Sequence, residues 1–97
     1  MLLRARVAGA SMYPTYRDGA VVHVDTLAYQ DPERLPSPGD VILARHPFRA
    51  NVAFIKRVRE ITDDGRVFVV GDNLVESNDS RGFGALRPEL VLGRVVD

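Results

Sequence analysis

Among the 97 residues of this chain, one lysine, one serine in a turn and one hydroxyl-rich loop carry the groups that could break a covalent bond. Lysine and arginine together number 13, and Lys56 is the only lysine. A guanidinium (pKa above ~12) keeps its proton in any protein environment, whereas an ammonium taken out of water can become a neutral amine that accepts one. Lys56 lies in the run Val52-Ala53-Phe54-Ile55-Lys56-Arg57-Val58-Arg59-Glu60-Ile61, whose β-branched and aromatic residues predict a strand. Strand side chains alternate between faces, so Lys56 shares a face with Phe54 and Val58 while Arg57 and Arg59 point the other way. Burial between apolar neighbours would lower the amine pKa well below its usual ~10.4 and make it a base. The other reading lays the lysine stem along apolar surface with its head in water, and Lys56 alone does not decide between them.

Ser11 sits in Gly9-Ala10-Ser11-Met12-Tyr13-Pro14-Thr15, directly after a strand-like N-terminus. Pro14 steers Tyr13 away from helix, and Gly9 lets another backbone approach. A serine hydroxyl becomes a nucleophile only when a base takes its proton, and without one a turn serine is a backbone hydrogen-bonder. The loop Gly71-Asp72-Asn73-Leu74-Val75-Glu76-Ser77-Asn78-Asp79-Ser80-Arg81-Gly82-Phe83-Gly84 is dense in hydroxyls, amides and carboxylates. By composition it reads as a solvated turn with a surface Asp79-Arg81 pair of little energetic weight.

These groups need a scaffold, and the chain has length for one domain, residues 1–97, with a single core. Balanced charge, 13 basic against 13 acidic residues, and 45% hydrophobic content describe a globular chain without a basic block to hold nucleic acid. The absence of cysteine removes disulfides and thiolate chemistry. The stretch from Val7 to Tyr16 lacks charge but falls far short of the ~20 apolar residues that cross a bilayer, so the sequence predicts no transmembrane anchor and a cytoplasmic location. Whether Leu2, Leu3, Met12 and Tyr13 form a peripheral membrane patch or belong to the core stays open.

Strands are predicted in Met1–Val7 and over Ala20–Asp25, Asp40–Arg45, Ala53–Ile61, Arg66–Val70 and Val91–Val96, separated by Asp18-Gly19, Asp31-Pro32 through Pro38-Gly39, His46-Pro47, Asp63-Asp64-Gly65 and Gly71-Asp72-Asn73. Asp63-Asp64-Gly65 is a hairpin signal. Helical turns fit only at Asp31–Leu35 and Arg87–Leu90. The expected fold is mainly β: a compact antiparallel, partly closed barrel or coiled sheet.

Taken in order, Ser11-Met12-Tyr13-Pro14-Thr15, Gly39-Asp40-Val41-Ile42, Phe54-Ile55-Lys56-Arg57-Val58 and Gly71-Asp72-Asn73 with Ser77-Asn78-Asp79-Ser80-Arg81 resemble the blocks of the signal peptidase I family, which uses a serine-lysine dyad. The resemblance runs from Val7 to Val95. It implies the signal peptidase I and LexA type of catalytic core, with Ser11 as nucleophile and its backbone N-H as one oxyanion donor. It further implies Lys56 as general base, Ser77 as the hydroxyl orienting that amine, Met12 in the substrate groove, and Asp79, Arg81, Gly71, Asp72 and Asn73 as structural support. Gly9 stands where some members place a hydroxyl as second oxyanion donor. Tyr16 replaces a more usual leucine, and Gly82 a frequent aromatic. Within the family the chain resembles the short branch that matures nickel-type superoxide dismutase, through Arg45-His46-Pro47-Phe48 and the short span from Lys56 to Gly71. The implied partner is a precursor protein with an N-terminal extension, and no cofactor is implied.

A histidine-based triad would need His23 or His46, which alternate with valines or precede a proline and read as structural; neither has the partners of a metal site. The charged run Arg57-Val58-Arg59-Glu60 reads as a solvated strand face. Alternatives to dismutase maturation are a signal peptidase acting on exported pre-proteins, a silent relative that only binds a precursor, and a self-cleaving repressor of the LexA type.

Overall fold

The computed structural model describes residues 1–31 and 34–96. Six strands form one antiparallel sheet: β1 (Leu2–Arg6), β2 (Val21–Asp25), β3 (Val41–Arg45), β4 (Ala53–Ile61), β5 (Val67–Val70) and β6 (Val91–Val95). The spatial order is β1-β2-β6-β3-β4-β5, which inserts the last strand between the second and third and ties both ends of the chain into one ladder. All six predicted strands are present, with bounds that differ by a residue or two, as befits β-branched runs cut by turn residues. The Asp63-Asp64-Gly65 turn joins β4 to β5, with Gly65 at φ +81° where a side chain would be strained.

Strand β3 shows how the core is divided. Val41 and Leu43 point into one apolar cluster with Val7, Met12, Val22, Val24 and Ile55. Ile42 and Ala44 point into the other with Val58, Val67, Val69 and Leu86. A strand buried on both faces reads as a continuous apolar run, as Val41-Ile42-Leu43-Ala44 does. Lys56 lies opposite Ile42 in the β3–β4 pairing, so its side chain leaves β4 on the face of Phe54 and Val58, as the alternation predicts.

Among the described residues the chain between strands also forms three short helical pieces: a 3-10 turn at Leu74–Glu76, the helix α1 (Ser80–Phe83) and a 3-10 turn at Pro88–Leu90. The last falls within the predicted Arg87–Leu90. The first two fall in the loop read as solvated, and at three and four residues they are too short to show a helical period. The turn expected at Asp31–Leu35 includes Pro32 and Glu33, which lie outside the described residues.

Two expectations need correction. Gly9 is not a point of backbone approach, since open space surrounds the position a Cβ would take; its φ of +86° is what calls for glycine. Arg57 is not part of a solvated face. Its Nε and Nη2 donate to both carboxylate oxygens of Asp72 at 2.7 and 2.8 Å, and its Nη1 donates to the Gly39 carbonyl at 2.8 Å.

Candidate active site

The turn after β1 and the polar loop after β5 are locked together by backbone bonds. The Asn73 N-H donates to the Ser11 carbonyl at 2.8 Å, and the Asn73 side-chain amide donates to the Ala10 carbonyl at 3.1 Å. Thr15 Oγ1 donates to Asp72 at 2.5 Å, completing a brace in which Asp72 accepts from Thr15 on one side and Arg57 of β4 on the other. The Arg57 hydrogen bonds hold the Asp72 carboxyl below the usual carboxylate range, against the opposing effect of partial burial. Ser11 is therefore fixed relative to both β4 and the polar loop.

Gly71 sets how closely these parts meet. A Cβ at this position would clash with Ser77 Oγ and lie 2.5 Å from the Ser11 carbonyl oxygen and 2.5 Å from Ser77 Cβ. Only a residue without a side chain lets the Ser11 turn and Ser77 share that space. The Gly71 N-H donates to Asp79 Oδ2 at 2.9 Å.

Asp79 anchors the loop from within. It is 1% exposed, caps α1 by accepting from the Arg81 N-H at 3.1 Å, and receives Nε and Nη2 of Arg81 at 2.9 and 3.0 Å. Arg81 also donates to the Leu74 carbonyl at 2.6 Å. Burial works to raise the Asp79 pKa, but the bonds from Arg81, the Gly71 N-H and the Ser77 hydroxyl together hold it well below the carboxylate range. Asp79, read as half of a surface ion pair, is thus the buried centre of the loop, while its partner Arg81 stays at the surface.

Lys56 is 5% exposed. Its Nζ donates to Ser77 Oγ at 3.1 Å and lies 5.7 Å from the centre of the Phe54 ring. Burial depresses its pKa, opposed by the Asp79 carboxylate and assisted by Arg81. Because the Ser77 proton goes to Asp79, the Ser77 oxygen is free to accept from the amine. A neutral amine so held keeps its lone pair for a third group.

Two depressions meet at this point. An open groove of about 900 Å³ is lined by Ala8 to Ser11, His46, Phe48, Phe54, Lys56, the polar loop and Phe83. A smaller cavity of about 140 Å³ lies along Ala5 to Ala8, Leu43 and Ala53 to Ile55. Ser11, Phe54 and Lys56 line both. Ser11, Lys56, Ser77, Asp79 and Arg81 are thereby collected at one groove, with Gly71, Asp72 and Asn73 behind it.

Met12 is the exception. It is fully buried in the core, and its sulfur accepts from the Asp72 N-H at 3.4 Å, so it supports the Ser11 turn from below and does not line the groove. Of the residues considered for a membrane patch, Leu2, Leu3 and Tyr13 are exposed. His23 faces solvent on β2. His46 instead belongs to an aromatic cluster, with ring centroids 5.1 Å from Phe83, 6.0 Å from Phe54 and 6.2 Å from Phe48. Among the described residues, no group of three or more His, Asp or Glu side chains converges to hold a metal.

A family model described as signal peptidase, peptidase S26, matches residues 1–62 and 59–96. The chain belongs to this family. It is 32% identical over 112 residues to the mitochondrial ATP-independent inner membrane protease subunit 1b of Arabidopsis thaliana, a match covering 91% of this chain and 64% of that protein. It is 31% identical over 107 residues to mitochondrial inner membrane protease subunit 1 of Xenopus tropicalis, covering 91% and 63%. The chain thus spans somewhat less than two thirds of the length of these curated relatives. Their names overturn the expectation of a cytoplasmic location, since these relatives are proteases of a mitochondrial inner membrane. The lack of a long apolar run is no guide to compartment; among the described residues no helix is long and apolar enough to cross a membrane.

Proposed function

We propose that this chain is the catalytic part of a serine-lysine endopeptidase that removes an N-terminal extension from a precursor protein in the manner of a signal peptidase. The observation that carries this is the buried amine of Lys56, depressed in pKa and held by Ser77 in the groove that Ser11 lines. Neutral Lys56 takes the Ser11 hydroxyl proton as the oxygen attacks the scissile carbonyl. The Ser11 N-H faces the oxyanion, and such a donor contributes ~2.7–4 kcal/mol to lowering the barrier. The Lys56 ammonium then gives its proton to the leaving amine, and an acyl-serine remains. Lys56, neutral again, deprotonates the water that releases the acyl group. Ser77 and Asp79 keep the amine aimed through both halves of the cycle.

Family membership and the relatives' names favour precursors of the signal peptidase kind over nickel-type superoxide dismutase in particular. The dismutase precursor remains one substrate to try, on the strength of Arg45-His46-Pro47-Phe48. The test is incubation of the purified chain, S11A and K56A with exported pre-proteins and a dismutase precursor, read by intact mass. A single N-terminal cut made by the unaltered chain and by neither variant is the expected result. A cut that survives in S11A or K56A refutes the dyad.

A further inference from the structure

Phe48 is 76% exposed at the tip of the β3–β4 loop, the one large ring of the groove left in water. It is not loosely held. Its N-H donates to His46 Nδ1 at 3.0 Å, the His46 N-H donates to the Val52 carbonyl at 2.8 Å, and Arg45 Nη1 donates to the Ala50 carbonyl at 2.6 Å. Behind it the rings of Phe54 and Phe83 stack at 5.6 Å and 17°, with His46 packed against both. A rigid loop that displays an aromatic ring next to an aromatic floor is a site for a large apolar side chain.

The chemistry of the neighbouring dyad says which part of a substrate reaches it. Ser77 lines the large groove but not the small cavity, so the Lys56 amine, bonded to Ser77, is drawn to the large-groove side of Ser11. The leaving amine must lie within reach of that nitrogen to receive its proton. The chain beyond the cut therefore departs along the large groove, and the chain before it occupies the small cavity.

Resting on the proposed peptidase reading, we infer that Phe48, His46 and Phe83 form a specificity subsite for an aromatic or large aliphatic side chain within the first few residues after the scissile bond. The enzyme then reads the start of the mature protein as well as the end of the extension.

The test digests a proteome-derived peptide mixture with the full chain, F48A and S11A, and sequences the products by mass spectrometry. The unaltered chain should show an excess of Phe, Tyr, Trp, Leu or Met at one position after the cut. F48A should lose that excess, with the preference in kcat/KM for a peptide carrying Phe there over its Ala twin falling about ten-fold. A second readout needs no turnover: fluorescence anisotropy of an alanine-rich decapeptide, with or without one Phe in its C-terminal half, on S11A and on S11A/F48A. Binding should favour the Phe peptide on S11A only. An excess that persists in F48A overturns the subsite. Absence of cleavage by the unaltered chain strikes the peptidase reading, and anisotropy then decides the subsite alone: a Phe preference lost with Phe48 sustains it, and equal binding of both peptides ends it.

Discussion

Replacing Gly71 by alanine sets a methyl group in clash with Ser77 Oγ and 2.5 Å from the Ser11 carbonyl oxygen. An ordinary contact between such atoms is ~3.5 Å or more, so the two walls must part by roughly 1 Å. One wall is backbone, held by the Asn73 N-H, and cannot swing aside as a flexible side chain would. Overpacking of this kind costs about 1–3 kcal/mol of stability, which leaves a folded chain. The catalytic consequence is larger, because the displacement separates the Ser11 turn from the hydroxyl that aims Lys56, and a misplacement of ~1 Å at a reacting centre costs on the order of 100-fold in rate. G71A should therefore melt somewhat lower yet lose about two orders of magnitude in kcat. The assay is single-turnover cleavage of a precursor well below the melting temperature, beside a thermal melt of each protein. Unaltered turnover by a folded G71A would refute the claim that Ser11 and Ser77 must share this space.

Lys56→Arg should abolish cleavage, because a guanidinium cannot accept the proton; turnover by K56R, read by intact mass, would end the general-base assignment. Cleavage should rise with pH through the depressed Lys56 pKa, and a pre-steady-state profile that is flat from mildly acidic to alkaline pH would contradict it. Stability carries the same signature: between the folded pKa of Lys56 and the ordinary lysine value the unfolded chain binds the extra proton, so stability rises with pH across that window. Lys56→Met should accordingly gain stability at neutral pH, with the gain shrinking as pH approaches that ordinary value, which denaturant titrations at several pH values would measure. Asp79→Ala orphans the Gly71 N-H and the α1 cap and should cost about 1–2 kcal/mol in chemical denaturation. The folded Asp79 pKa lies below its unfolded value, so the contribution of that carboxylate is present above the unfolded value and fades as pH falls through the folded one.

The strands were legible because each is a β-branched run ended by Gly, Pro, Asp or Asn, a signal that is local. Lys56 was legible for the same reason: its neighbours on the strand are its neighbours in space. Met12 was not, because a turn has no period, and a residue next to Ser11 can point to the groove or straight down into the core, where it in fact lies. The partner of Arg57 stands 15 positions away across a loop, and charge alone does not choose it. Asp79 looks like half of a surface pair in the sequence since burial of a loop residue depends on what folds over it, here Ser77 and Gly71, while Arg81 does stay exposed. The aromatic cluster gathers rings from the β3–β4 loop, β4 and α1, three segments with no shared pattern.

These failures have a common physical source in the way the site is supported. The candidate nucleophile and base sit in the turn after β1 and in the middle of β4, and the two strands follow from local pattern. What brings them together is a set of long-range polar contacts running from Thr15 through Asp72 to Arg57, and from Lys56 through Ser77 to Asp79 and Arg81. Both chains of contacts pass through a carboxylate whose pKa is held down by an arginine. Desolvation of the lysine destabilises its charged form, and the charge of the Asp79 carboxylate opposes that. In the proposed cycle the amine has to take a proton from a hydroxyl and later give one to a leaving amine, and burial that lowers its pKa while a carboxylate limits the shift acts toward both requirements.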